Sequence, residues 1–311
     1  MVHSAALMSP RVIRHVSELG QSLASAPVMP LPTRVLMIRP TAFNIEVAIN
    51  VHMCDAEGRP HALDKDLALR QWEALRRTYE RLGFAVLVLE GTDGLPDMTF
   101  AANQTLPYVD PEGKRRALLS NMADDVRHRE VEDVAAFLED LGYAPAPLLP
   151  RTPDTLFEGM GDALWIPGRR FLVGGHGFRT RLTVYETVAT RTGASVAALE
   201  LKNPKFYHLD TCLAVLNADT AIACLEAFTP EGQDLIRALF PRLIAVPLAE
   251  ADAPGFACNA HCPDGRHVII QEGCDATEKA LTASGFVPVP VNTSEFIKSG
   301  GSVFCLKMML Y

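Results

Sequence analysis

Long apolar runs are missing from this 311-residue chain: nothing approaches the roughly 20 consecutive apolar residues a membrane-spanning helix needs. The first 26 residues are broken by Arg11, Arg14, His15 and Glu18, which leaves no room for the apolar core of a secretion signal. Cytoplasm is therefore the expected compartment. Basic clusters are missing too, since 29 Lys and Arg face 37 Asp and Glu for a net charge of −8, and no stretch gathers the cations a phosphate backbone would require. Nucleic acid and membrane are not expected partners. The seven cysteines are an odd number scattered over a large chain, which excludes a small disulfide framework. No linker rich in proline or serine divides the sequence. A phosphate-binding Walker loop is absent, and Val173-Gly174-Gly175-His176-Gly177 falls short of the dinucleotide fingerprint, so neither ATP nor NAD is indicated.

What is present is repetition. Amphipathic segments end at a glycine or aromatic residue and run straight into an apolar stretch. The spacing predicts helices over Asp64 to Leu82, Asp125 to Leu141, Thr180 to Thr192, Glu231 to Leu239 and Ala276 to Ser284. Strands are expected at Phe84 to Leu89, Arg242 to Pro247 and Phe286 to Val291. Breaks recurring every 50 residues or so mark one supersecondary unit used five times. Five such units, none able to bury its apolar face alone, close naturally into an α/β propeller with sheets inside and helices outside. An open doubly wound α/β sheet is the alternative. The expected organisation is a leader over 1–31, partly ordered, and a single catalytic domain over 32–311.

Four polar clusters interrupt the apolar pattern. They are Asp97 to Asn103, Phe157 to Asp162 with two glycines between carboxylates, His208 to Thr211, and Lys298 to Cys305, where a cysteine follows Gly300-Gly301. Each alone has an ordinary structural explanation: a packed cysteine, a satisfied imidazole, a turn capped by an aspartate. Together Cys305, His208 and Glu158 supply a nucleophile, a general acid/base and an orienting carboxylate. A zinc site at Cys258, His261 and Cys262 was weighed against this, but a second ligand pair at recognisable spacing is lacking. No metal and no cofactor are expected.

The four clusters, in the order acid, acid, His, Cys, resemble the guanidine-modifying superfamily of arginine deiminases, dimethylarginine dimethylaminohydrolases, arginine dihydrolases and amidinotransferases. The resemblance begins near Arg39, Pro40 and Phe43 and runs to the C-terminus. It implies a five-bladed α/β propeller, the pentein fold, and a cysteine-dependent hydrolase of L-arginine or a close derivative. By that resemblance Cys305 attacks the guanidinium carbon, His208 is the acid/base and Glu158 partners both guanidinium and His208. Asp97, Asp162 and Asp210 are acids for the substrate cation, and Arg179 takes the substrate carboxylate. Several anions around one planar cation match its fork of donors, and the bound cation or a charged His208 should favour the thiolate.

One departure matters. Asn103 stands where deiminases of the family usually carry Asp, a pattern similar to the dihydrolase branch, which runs two hydrolytic rounds to the amine, ammonia and carbon dioxide. An amide offers donor and acceptor to a neutral ureido group. Two other readings stay open: an amidinotransferase, and a silent relative that only binds a guanidino ligand. The sequence leaves self-association undecided.

Overall fold

The computed structural model describes residues 9–20 and 22–311. Five small sheets follow one another along the chain, and four of them share one wiring. A buried strand pairs antiparallel with a second strand, and a crossover leads from there to a third strand parallel to the second. Thr105–Val109, Arg115–Leu119 and Ala144–Pro147 form one blade in this way. Ala163–Trp165, Phe171–His176 and Ser195–Glu200 form the next, and Leu213–Val215, Thr220–Ala223 and Arg242–Ala245 the one after. In the first blade the parallel pair is Arg34–Arg39 with Ala85–Glu90, and its antiparallel strand comes from the far end of the chain, Met308–Leu310. The C-terminus thus closes the ring. Arg34 Nη2 and the Tyr143 hydroxyl both donate to the Tyr311 carbonyl, at 2.6 and 3.0 Å, and pin the closure.

The fifth blade is reduced. His267–Gln271 and Val287–Val291 pair in parallel, but the antiparallel strand has shrunk to one bridge, where His261 and Ile269 exchange both backbone bonds at 2.9 Å. This strand remnant is what the Cys258-to-Cys262 segment becomes.

The crossovers are the helices the periodicity predicts, observed as Lys65–Arg81, Asp125–Asp140, Val184–Thr192, Pro230–Leu239 and Asp275–Ala283. Lys65–Arg81 shows the logic. Asp64 caps it by accepting from the Leu67 amide at 2.9 Å, and Ala68, Trp72, Leu75 and Tyr79 at helical spacing form its buried stripe. At Gly83, with φ 89°, the chain turns in a conformation that side chains disfavour.

Burial falls outward along each blade. Thr105–Val109 is buried throughout, whereas Ala144–Pro147 and Ala85–Glu90 are partly exposed. Ser195–Glu200 departs from this gradient, being buried at its four central positions, because Val12–Ile13 adds a further parallel strand to its edge. The expected leader therefore contributes to the third sheet from residue 12 on, with Ile13 wholly buried; the sequence carried no periodic signal for a two-residue strand. Residues 1–8 of that leader lie outside the described residues. Among the described residues no helix is long and apolar enough to cross a membrane.

Candidate active site

The wiring decides where polar residues can meet. Asn103, Asp162, Asp210, Asn259 and Cys305 each lie within three residues of the inner strand, or strand remnant, that follows them. Five equivalent positions, one per blade, bring residues far apart in sequence to one end of the ring. Direct bonds knit them together: the Ala102 amide donates to the Cys305 carbonyl at 3.1 Å and the Met160 amide to the Ala102 carbonyl at 2.8 Å.

Cys305 sits in a cradle made by Asn259. The amide Oδ1 accepts from the backbone N–H groups of Ser302, Phe304 and Cys305 at 3.1, 3.0 and 3.2 Å. Its Nδ2 donates to the Asp210 carbonyl at 3.0 Å and to Cys305 Sγ at 3.2 Å. The thiol donates in turn to Asp210 Oδ2 at 3.0 Å. Burial, reinforced by the Asp210 carboxylate, pushes the Cys305 thiol well above its ordinary range. A cation bound beside the sulfur would oppose both effects.

His208 completes the pair. Its Nε2 lies 2.7 Å from Glu158 Oε2, and its Nδ1 lies 3.4 Å from Asn103 Nδ2. Asn103 is oriented by Arg127, whose Nη1 donates to Oδ1 at 3.3 Å. Arg127 is itself buried against Glu130 at 3.1 Å and also donates to the carbonyls of Asp97 and Phe100. Burial alone would raise Glu158; the guanidinium of Arg179 and the bond to His208 outweigh it and hold the carboxyl well below the usual range. Glu158 is thus a fixed anion.

A narrow cleft opens over these groups. Asp97, Asn103, Arg179, His208 and Cys305 line it, joined by Tyr207, Arg127 and the Ser299-Gly300-Gly301 turn. Asp97 is the carboxylate at this surface, accepting from the Ser299 hydroxyl at 3.2 Å. Burial raises its carboxyl, an effect that Arg127 and Ser299 partly offset.

Three of the expected substrate contacts are engaged within the protein itself. Asp162 and Asp210 were expected to hold guanidinium nitrogens, yet neither lines the cleft. Asp162 has both oxygens committed, accepting from the Leu209 amide at 2.9 Å and the Thr180 hydroxyl at 2.7 Å, and burial lifts its carboxyl to about 6. It buttresses the His208 segment. Asp210 stands behind the thiol, lifted by burial to about 7. Arg179 was expected to await a carboxylate, but its Nη1 is 3.3 Å from Glu158 Oε2, its Nη2 donates to the Ile49 carbonyl at 2.7 Å and its guanidinium covers the Tyr207 ring. The resting protein's own guanidinium stands on the carboxylate assigned to the substrate's.

Asn259 and Arg127 were missed. Asn259 stands at the head of a strand remnant with no strand pattern, though the spacing of the other four positions points to it. Arg127 lies in the first turn of the Asp125–Asp140 helix, where nothing in the sequence pattern singles it out, and is 5% exposed.

Glycine at 161 is required by Asn103. A Cβ there would run into Asn103 Nδ2 and stand 3.6 Å from the His208 ring. Gly161→Ala should displace the amide from His208 and lower kcat/KM by about 100-fold, with the melting temperature reporting an intact fold. Unchanged kinetics would show that the Asn103 position is immaterial.

Comparison with known families settles the kinship. The profile of the family described as "N,N dimethylarginine dimethylhydrolase, eukaryotic" matches residues 39–311. The chain belongs to this family. Among its relatives is a protein of Mycobacterium tuberculosis named N(G),N(G)-dimethylarginine dimethylaminohydrolase, 36% identical over 282 residues, which cover 91% of this chain and 87% of that protein. A second relative, the bifunctional arginine dihydrolase/ornithine cyclodeaminase ArgZ of Synechocystis, is 31% identical over 276 residues, covering 88% of this chain but 37% of that protein. The solved N-terminal domain of ArgZ, bound to substrate, superposes with a TM-score of 0.81 at 30% identity, covering 89% of this chain and 97% of that domain. The same domain has been solved covalently bound to a reaction intermediate. The pentein fold expected from the repeats is thereby established for this member of the dimethylarginine dimethylhydrolase family.

Proposed function

We propose that this protein hydrolyses the guanidinium group of L-arginine in two rounds, yielding ornithine, ammonia and carbon dioxide through covalent intermediates on Cys305. The observation that carries the reading is the Asn103 amide held between Arg127 and His208 at the cleft surface. In the first round the substrate cation enters against Asp97 and draws Glu158 away from Arg179, which is then released toward the substrate carboxylate. The cation favours the Cys305 thiolate, whose electron pair attacks the guanidinium carbon. Ammonia leaves with a proton from His208 Nδ1, and water activated by the same nitrogen releases the ureido product. In the second round Cys305 attacks the neutral ureido carbon, a second ammonia leaves, and hydrolysis gives a carbamate that breaks down to ornithine and carbon dioxide. Two waters are consumed and two ammonias released.

A neutral ureido group needs neutral partners. Asn103 Nδ2 can donate to its oxygen, whereas an aspartate beside Arg127 would form an ion pair and repel the lone pairs of that oxygen. Asn103→Asp should therefore leave the first round running and make citrulline accumulate, read as the citrulline-to-ornithine ratio by mass spectrometry. An unaltered ratio would remove this argument. The M. tuberculosis relative's name favours a second reading, release of dimethylamine from N(G)-methylated arginine by the first round alone. Product analysis with L-arginine and with its dimethylated form decides: ornithine from arginine supports the two-round reading, and citrulline from dimethylarginine alone supports the second. We place the enzyme in the cytoplasm, acting on a small guanidino substrate without metal or cofactor.

A further inference from the structure

Lys307 follows the nucleophile by two residues and is completely buried. Its Nζ has no hydrogen-bond partner and lies 3.1 Å from the centroid of the Phe304 ring. Asp210 Oδ1 is in the same condition, buried and unpartnered, on the carboxylate whose other oxygen accepts the Cys305 thiol. Two buried atoms of opposite charge type, Lys307 Nζ and Asp210 Oδ1, thus lack a hydrogen-bond partner, one of them two residues from the sulfur and the other on its carboxylate partner. The π face of Phe304 suits a cation, and no polar group is bonded to Nζ that would compete for it.

We propose that Lys307 is a positioning residue for the nucleophile, an internal counter-cation for the negative charge that Cys305 and Asp210 share. The inference rests on the reading of Cys305 as the nucleophile. When the substrate arrives, the S–H bond breaks, the proton passes to Asp210 Oδ2 and the sulfur keeps the electron pair. One negative charge remains on the pair whichever atom holds the proton. Arg127 acts on Asp210 across the site, and Asn259 donates one hydrogen bond to the sulfur. Lys307 acts on Asp210 from the side of a second cavity, which it lines together with His261 and Phe304. His261 also faces Lys307; burial foremost, then the lysine, holds its ring well below its usual range, and Tyr79 engages its Nδ1 at 2.9 Å. Burial likewise drives the Lys307 amine down, while Asp210 and Cys305 pull it back up.

The test reads the thiol directly. Wild type, Lys307→Met and Lys307→Arg are alkylated with chloroacetamidine, a cation, and with neutral chloroacetamide across pH, and Cys305 modification is followed by peptide mass spectrometry. Methionine keeps the volume and removes the charge. Its midpoint should rise by about one pH unit or more, slowing alkylation about tenfold at neutral pH, and arginine should restore the rate to within about threefold of wild type. Lys307→Met should also melt below wild type, because the buried charge on Cys305 and Asp210 has lost its counter-cation. If it does not fold, Lys307→Gln is measured instead. A profile superimposable on wild type in the charge-free variant would overturn the proposal. Loss of turnover in wild type would count against the proposed function and leave this profile interpretable.

Discussion

Cys305→Ala should bind L-arginine and turn none of it over, with kcat lowered by about 10⁵-fold or more. The expectation is that large because covalent attack has no substitute here. Among the described residues the other cysteines are held elsewhere; Cys212, for example, bonds to the His208 and Leu209 carbonyls, facing away from the cleft. A guanidinium carbon is a poor electrophile for water, since its charge is spread over three nitrogens, and a thiolate is what makes the first step feasible. Binding should persist, because the cleft carboxylate Asp97 and the Ser299 hydroxyl that holds it do not depend on the sulfur. Calorimetry with arginine on the variant, beside a discontinuous ammonia assay, separates the two effects. Residual turnover within about tenfold of wild type would mean that the sulfur is not the nucleophile.

Glu158→Gln carries the second-largest expected effect, on activity and stability together. The carboxylate is wholly buried and serves three partners: His208 Nε2 at 2.7 Å, Arg179 Nη1 at 3.3 Å and the Ala123 amide at 2.9 Å. A glutamine keeps the shape and removes the charge, leaving the buried Arg179 guanidinium without its anion, a loss of about 3–5 kcal/mol. It also weakens the 2.7 Å contact that holds the His208 ring with Nδ1 toward Asn103. Proton transfer typically contributes about 10²–10⁴ to the rate, so kcat should fall by about 10³. Sign follows from the depressed carboxyl: its stabilisation is complete above the unfolded value near 4.5 and is lost as pH falls below it. Wild type should therefore lose stability in acid more steeply than the variant. Equal acid sensitivity, or kcat within threefold, would show that Glu158 is merely packed.

The repeat was legible because each crossover helix needs an apolar stripe and a stop, and these leave marks at fixed spacing; Gly83, Gly142, Gly193 and Gly285 all adopt positive φ where the helices end. The inner strands were harder. They are three to five residues long and buried, so they carry no alternation, and the fifth is a single bridge at His261. That is why Asn259, the residue that shapes the Cys305 loop, gave no signal while its cysteine neighbours suggested a metal. That Cys305 and His208 face one cleft, with Glu158 beside His208, agrees with what residue type and order led one to expect. The roles of Asp162, Asp210 and Arg179 were not legible, because they depend on which oxygen each neighbour occupies, a matter of ångströms that spacing does not encode. Lys307 gave no signal for the same reason: in a stretch as short as Val303 to Leu310, the side of the chain facing inward is set by ring closure through Met308–Leu310.

The most direct test of the account is acid quench of the wild-type enzyme during turnover of L-arginine labelled with ¹³C at the guanidinium carbon, followed by peptide mapping. The account predicts the labelled carbon attached to the peptide containing Cys305, as arginine less one ammonia, and nowhere else; the same analysis of Cys305→Ala should show no adduct. Turnover that proceeds with no label on Cys305, or with label on another residue, would contradict it.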